Sequence, residues 1–175
     1  MNNAIPASAA NWQANKTPLG APALPLLARE VVAFAHMRAA ASFGQAVPLE
    51  VEGKGRKVMV LPGFMASDQS TARLRKSLDV AGFESFGWGL GRNFGVKADT
   101  LDLLEQRFES LKLDSGVILI GWSLGGLLAR EFAKRSPHRI ERVVTMGSPF
   151  SGDMRANNAW RIYEWVAGHK VDAPP

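Results

Sequence analysis

Val117-Ile118-Leu119-Ile120-Gly121-Trp122-Ser123-Leu124-Gly125-Gly126-Leu127-Leu128-Ala129-Arg130-Glu131-Phe132 reads as a strand, a sharp turn and a helix in immediate succession. The first four residues form a short continuous apolar run, the pattern of a strand covered on both faces of a parallel sheet. After the turn, Leu124, Leu127, Leu128 and Phe132 recur at helical spacing, with Arg130, Glu131, Lys134 and Arg135 on the other face. Pro137 closes that helix, and the apolar residues of Ile140 to Met146 predict another strand, broken by Gly147-Ser148-Pro149.

The same alternation extends upstream. Val58-Met59-Val60-Leu61 is a second buried apolar run, stopped by Pro62-Gly63. Ser67 or Asp68 is placed to cap a helix with Leu74, Leu78 and Ala81 inward and Arg73, Arg75 and Lys76 outward, which Gly82 ends. Phe83 to Trp88 is the next candidate strand, followed by a glycine-rich loop from Gly89 to Gly95. Asp99 is placed to cap a helix carrying Leu101, Leu104, Phe108 and Leu111 on one face. Strands alternating with helices imply right-handed crossovers. The expected fold class is therefore α/β, a mainly parallel sheet with helices on both faces.

At 175 residues, 46% of them hydrophobic and 21% charged, the chain has room for about one globular domain and too much apolar content to be disordered throughout. It contains no cysteine, which excludes disulfides, cysteine-ligated zinc and a thiol nucleophile. No metal site and no cofactor are expected. The net charge of +5 arises from scattered residues with no basic cluster, so a nucleic-acid partner is not expected.

Residues 1–23, rich in Ala, Asn and Pro, read as a flexible N-terminal segment. They carry Lys16 as their single charged residue and are broken by Pro6, Pro18 and Pro22, so no signal peptide is visible and a cytoplasmic location is the expectation. Residues 24–55 read as a helix, Leu24 to Ala41, then a short extended piece at Leu49 to Glu52 and a turn at Gly53 to Gly55. Arg29, Glu30, His36 and Arg38 interrupt the apolar stretch from Leu24 to Phe43, which argues against a transmembrane span and for a helix on the domain or a surface. Peripheral contact with a membrane stays open. Residues 56–170 form the core, and 171–175 a tail ending in Pro174-Pro175. Trp160, Tyr163 and Trp165 lie on a last helix, about Asn158 to Ala167, and fit either packing over the sheet or a lid over an apolar pocket.

Gly121-Trp122-Ser123-Leu124-Gly125 fits the Gly-x-Ser-x-Gly pattern in which a serine is pushed up on a strained strand-to-helix turn. The plainer reading of Ser123 is a helix cap. A reactive serine also needs donors aimed where an oxyanion forms. The N–H of Leu124, at the helix amino end, is one, and the N–H of Phe64, after Gly63 at the end of the earlier strand, is placed to be the second. Gly87, Gly89, Gly91 and Gly95 lack the spacing of a phosphate cradle. Arg92 and Asn93 in that loop are expected to line the opening to the serine. Asp99 and Asp102 read as a cap and a first-turn acid rather than a catalytic pair.

Leu61-Pro62-Gly63-Phe64, Gly-Trp-Ser-Leu-Gly-Gly from Gly121, and Met146-Gly147-Ser148-Pro149 together resemble the α/β-hydrolase superfamily, in its bacterial esterase and lipase-like branch, over about residues 56–170. The resemblance implies hydrolysis of a carboxylic ester, a small molecule or a lipid, through an acyl-serine, with Ser123 as nucleophile and Phe64 and Leu124 as oxyanion donors. In that family the order is serine, then acid, then histidine, the last two on loops after later strands. Here one strand is legible after the serine's helix. His138 sits where that strand begins, at the edge opposite Ser123. Asp153 and His169 have the right order but follow no further strand, and His36 precedes everything. The expectation is thus a truncated α/β-hydrolase fold with the acid and base missing, a serine esterase that is weak or inactive as this chain alone. The alternative is a non-catalytic hydrolase-like remnant or acyl-binding module. A sheet cut short would expose an edge for self-association.

Overall fold

A computed structural model describes residues 45–148 and, outside that range, Ala33. Its elements run in strict alternation: β1 (Lys57–Leu61), α1 (Asp68–Val80), β2 (Glu84–Gly87), α2 (Thr100–Ser110), β3 (Val117–Trp122), α3 (Leu124–Arg135) and β4 (Ile140–Met146). The four strands form one parallel sheet in the order β2-β1-β3-β4.

Strands β1 and β3 fill the middle of the sheet because each is apolar on both faces. Met59 and Leu61 of β1 join Val117 and Leu119 of β3 on one side, where α2 and α3 supply Leu104, Phe108, Leu128, Ala129 and Phe132. The rings of Phe108 and Phe132 meet there with centroids 4.7 Å apart. Val58, Val60 and Ile118 point the other way, against Leu74 and Leu78 of α1. The period-2 alternation of these two runs thus feeds two separate cores, which is the reason for helices on both faces. Leu127, expected inward on α3, stays only partly buried, and Ala129 is fully buried in the core.

The outer strand β4 is far less covered, with Val144 39% and Met146 37% exposed, and its only strand partner among the described residues is β3. Leu49 to Glu52, expected as an extended piece, is exposed at all four residues and joins no strand of the sheet. Other local expectations are corrected. The second strand is shorter than Phe83 to Trp88, and Trp88 turns instead into the loop, 4% exposed. Ser67 and Asp99 occupy the N-cap positions of α1 and α2, but neither side chain makes a capping hydrogen bond. At the start of α2, Thr100 Oγ accepts from the Lys97 N–H at 2.8 Å, and Asp102 pairs across to Arg135 of α3.

The remaining helix expectations, with His36, Asp153, Trp160, Tyr163, Trp165 and His169, lie outside the described residues. Among the described residues no helix is long and apolar enough to cross a membrane.

Candidate active site

The registers bring three strand ends to one level. Leu61 of β1 pairs with Gly121 of β3, and Gly121 and Trp122 pair with Thr145 and Met146 of β4. All strands being parallel, the segments that leave them, Pro62 to Ala66, Ser123 and Gly147-Ser148, converge at the carboxyl edge of the sheet. In open parallel sheets this edge is where ligands bind.

Ser123 sits between β3 and α3 with φ 52° and ψ −119°. That conformation is rarely adopted by a residue with a side chain and costs of order 1–3 kcal/mol, so the surroundings must impose it. They do so through the backbone. The Ser123 N–H donates to Met146 O at 2.8 Å, and its carbonyl accepts from the Gly126 N–H at 3.0 Å and from Ser148 Oγ at 2.7 Å. Ser123 makes no side-chain capping bond to the helix, which removes the plainer reading of its role, and it remains partly exposed.

The glycines around it are required by close approach. A Cβ on Gly121 would overlap the backbone of Gly125 and Gly126, and one on Gly125 would overlap Leu61 O and stand 2.7 Å from Pro62 O. The first turn of α3 is therefore pressed against both β3 and the end of β1. On the other side a Cβ on Gly63 would lie 3.3 Å from Ser123 Cβ and 3.2 Å from Trp122 O, so the Gly63-Phe64 segment passes directly beside the serine.

The amino end of α3 also points at this spot. Its first N–H groups, Leu124 foremost, have no acceptor within the helix and carry the positive end of the helix dipole. An oxygen acquiring negative charge above Ser123 would meet that end.

The loop after β2 grips the Pro62–Ala66 segment. The Met65 N–H donates to Asn93 O at 2.6 Å, the Asn93 N–H donates to Ala66 O at 2.8 Å, and Asn93 Nδ2 donates to Pro62 O at 2.9 Å. Arg92 adds a bond from Nη1 to Met65 O at 2.8 Å. Asn93 is 0% exposed, which corrects its expected place at the opening, whereas Arg92 is exposed. The loop is itself pinned by Asp68, whose carboxylate oxygens accept from the N–H groups of Trp88 and Gly89, each at 3.0 Å. These ties of Asp68 and Asn93 had no sequence signal beyond polar residues near turns. A shallow pocket lined by Trp88, Leu90, Arg92, Phe94, Lys97 and Leu103 opens on this loop, but Ser123, Phe64 and Leu124 do not line it.

His138 is exposed at the entry to β4, and because β3 and β4 are parallel it lies at the sheet edge opposite Ser123. No group of three metal-ligating side chains occurs among the described residues.

Over 60 residues the chain is 40% identical to the pimeloyl-(acyl-carrier protein) methyl ester esterase of Sodalis glossinidius, a match covering 34% of this chain and 23% of that protein. The enzyme of the same name from Photobacterium profundum is 30% identical over 119 residues, covering 64% and 44%. The matches therefore span less than half the length of these curated relatives. Among solved structures, carboxylesterase CesB from Bacillus subtilis is similar at a TM-score of 0.45 and 19% identity, covering 65% of this chain and 48% of that one. The family model described as alpha/beta hydrolase fold matches residues 59–171, well over half of the chain, with the last three residues of β1, the serine turn and β4 inside the match. On that match and on its parallel sheet, the chain belongs to the alpha/beta hydrolase fold family.

Proposed function

We propose that the chain carries the nucleophile and oxyanion half of a serine esterase, acting on a carboxylic ester of a small molecule or lipid. The observation that carries this reading is the conformation of Ser123, a strained non-glycine residue held at a sheet's carboxyl edge and at a helix amino end. Its curated relatives are named as methyl ester esterases, which supports the ester as the bond acted on.

In the proposed reaction Ser123 Oγ attacks the ester carbonyl carbon while a general base takes its proton. The carbonyl oxygen, now negative, is met by the N–H groups of Leu124 and Phe64. The C–O bond to the alcohol breaks, the alcohol leaves with the proton, and water then releases the acid from the acyl-serine. His138 is on the wrong edge for the base. Asp153 and His169 follow Ser123 in the order that the family uses, and they are the candidates within this chain for acid and base.

The test is labelling of the purified chain with a fluorophosphonate probe, which forms a covalent adduct with an activated serine. The parent and Ser110→Ala are expected to label at Ser123, with Ser123→Ala blank. An unlabelled parent would favour a non-catalytic, acyl-binding member of the fold. His169→Ala labelling at the parental rate would remove His169 as the base.

A further inference from the structure

We propose that Asn93 is a positioning residue for the oxyanion site: by holding both ends of the Gly63-Phe64 segment, it fixes the direction of the Phe64 N–H beside Ser123. The proposal rests on the serine-esterase reading above. Two residues carry that segment past the serine, and it is tied down on each side. Before it, Pro62 O accepts from Asn93 Nδ2 at 2.9 Å; after it, Met65 N–H and Ala66 O are both bonded to the Asn93 backbone. The turn closes on itself through the Ala66 N–H, which donates to Gly63 O at 3.1 Å.

Met65 has φ 57°, a backbone conformation that a side-chain-bearing residue holds only under constraint, and Asn93 O and Arg92 Nη1 bond its N–H and carbonyl. The Asn93 side chain is held at both ends as well. Its Oδ1 accepts from the Gly95 N–H at 3.2 Å, which fixes the amide so that Nδ2 faces Pro62 O. A buried amide satisfied on both ends, 31 positions from its main-chain acceptor, is a rigid link between two loops rather than a substrate contact. Oxyanion donors act only when aimed in advance, and displacing reacting groups by about 1 Å can cost about a hundredfold in rate.

Asn93→Asp keeps the size and one acceptor oxygen but replaces the donor to Pro62 O. Asn93→Ala removes both side-chain bonds without adding charge. The experiment measures fluorophosphonate labelling of the full chain as separate maximal rate and apparent affinity, together with the melting temperature. Phe132→Leu serves as a variant destabilised in the core, away from the serine. The expected result is a maximal labelling rate lower by about ten- to a hundredfold in both Asn93 variants, with apparent affinity near parental and Phe132→Leu labelling at the parental rate. Asn93 variants that label as fast as the parent would overturn the proposal and leave the esterase reading standing. So would a fall in labelling no larger than that of Phe132→Leu at the same loss of melting temperature. A parent that does not label at all would overturn both readings.

Discussion

Replacing Ser123 with glycine should stabilise the protein while abolishing its reactivity, and the size of the gain follows from the backbone. At φ 52° and ψ −119° a side chain costs about 1–3 kcal/mol, which glycine does not pay. Against this, glycine loses more freedom on folding, about 0.5–1 kcal/mol. The bonds at this residue are made by its N–H and carbonyl, to Met146, Gly126 and Ser148, and survive the change. The side chain makes no capping bond, so the penalty usual for losing an N-cap serine does not apply. The net expectation is about 1 kcal/mol of stabilisation, or roughly 2–4 °C in melting temperature for a chain of this size. Ser123→Ala is the control, since it keeps the Cβ and therefore the strain; it should melt within about 1 °C of the parent. Thermal unfolding followed by circular dichroism, with labelling run in parallel, reads both quantities. A glycine variant that melts at or below the alanine variant would show that the turn stores no strain at Ser123, and the argument from its conformation would fall.

Gly125→Ala should act in the opposite direction, losing about 3 kcal/mol or failing to fold, because its Cβ has only the carbonyls of Leu61 and Pro62 to enter; a urea midpoint near parental would contradict the close approach of α3 to β1. Asp68→Asn should cost about 2 kcal/mol, since an amide group can replace only one of the two carboxylate oxygens that accept from Trp88 and Gly89. That loss is read by urea unfolding, and amide hydrogen exchange at Trp88 and Gly89 should speed up alongside it; an unchanged midpoint would mean that the tie carries no stability.

The alternating elements and the serine turn are legible in the residues alone. Val58 to Leu61 and Val117 to Ile120 are runs too apolar for any place but the middle of a sheet, and Leu104 and Phe108 repeat at the spacing that puts one helix face inward. The Gly-x-Ser-x-Gly string told where backbone would press on backbone, because only glycine lacks the atom that would collide. These are local properties, set by period and by the absence of a side chain. The order β2-β1-β3-β4 and the exposure of β4 come only from the folded structure. It also decided what the polar side chains do. By position Asp68 reads as a helix cap and Asn93 as a residue of the opening, yet each reaches backbone groups 20 to 31 positions away. Which donor meets which acceptor depends on which loops the sheet order brings to one edge, and that is fixed only once the strands have paired.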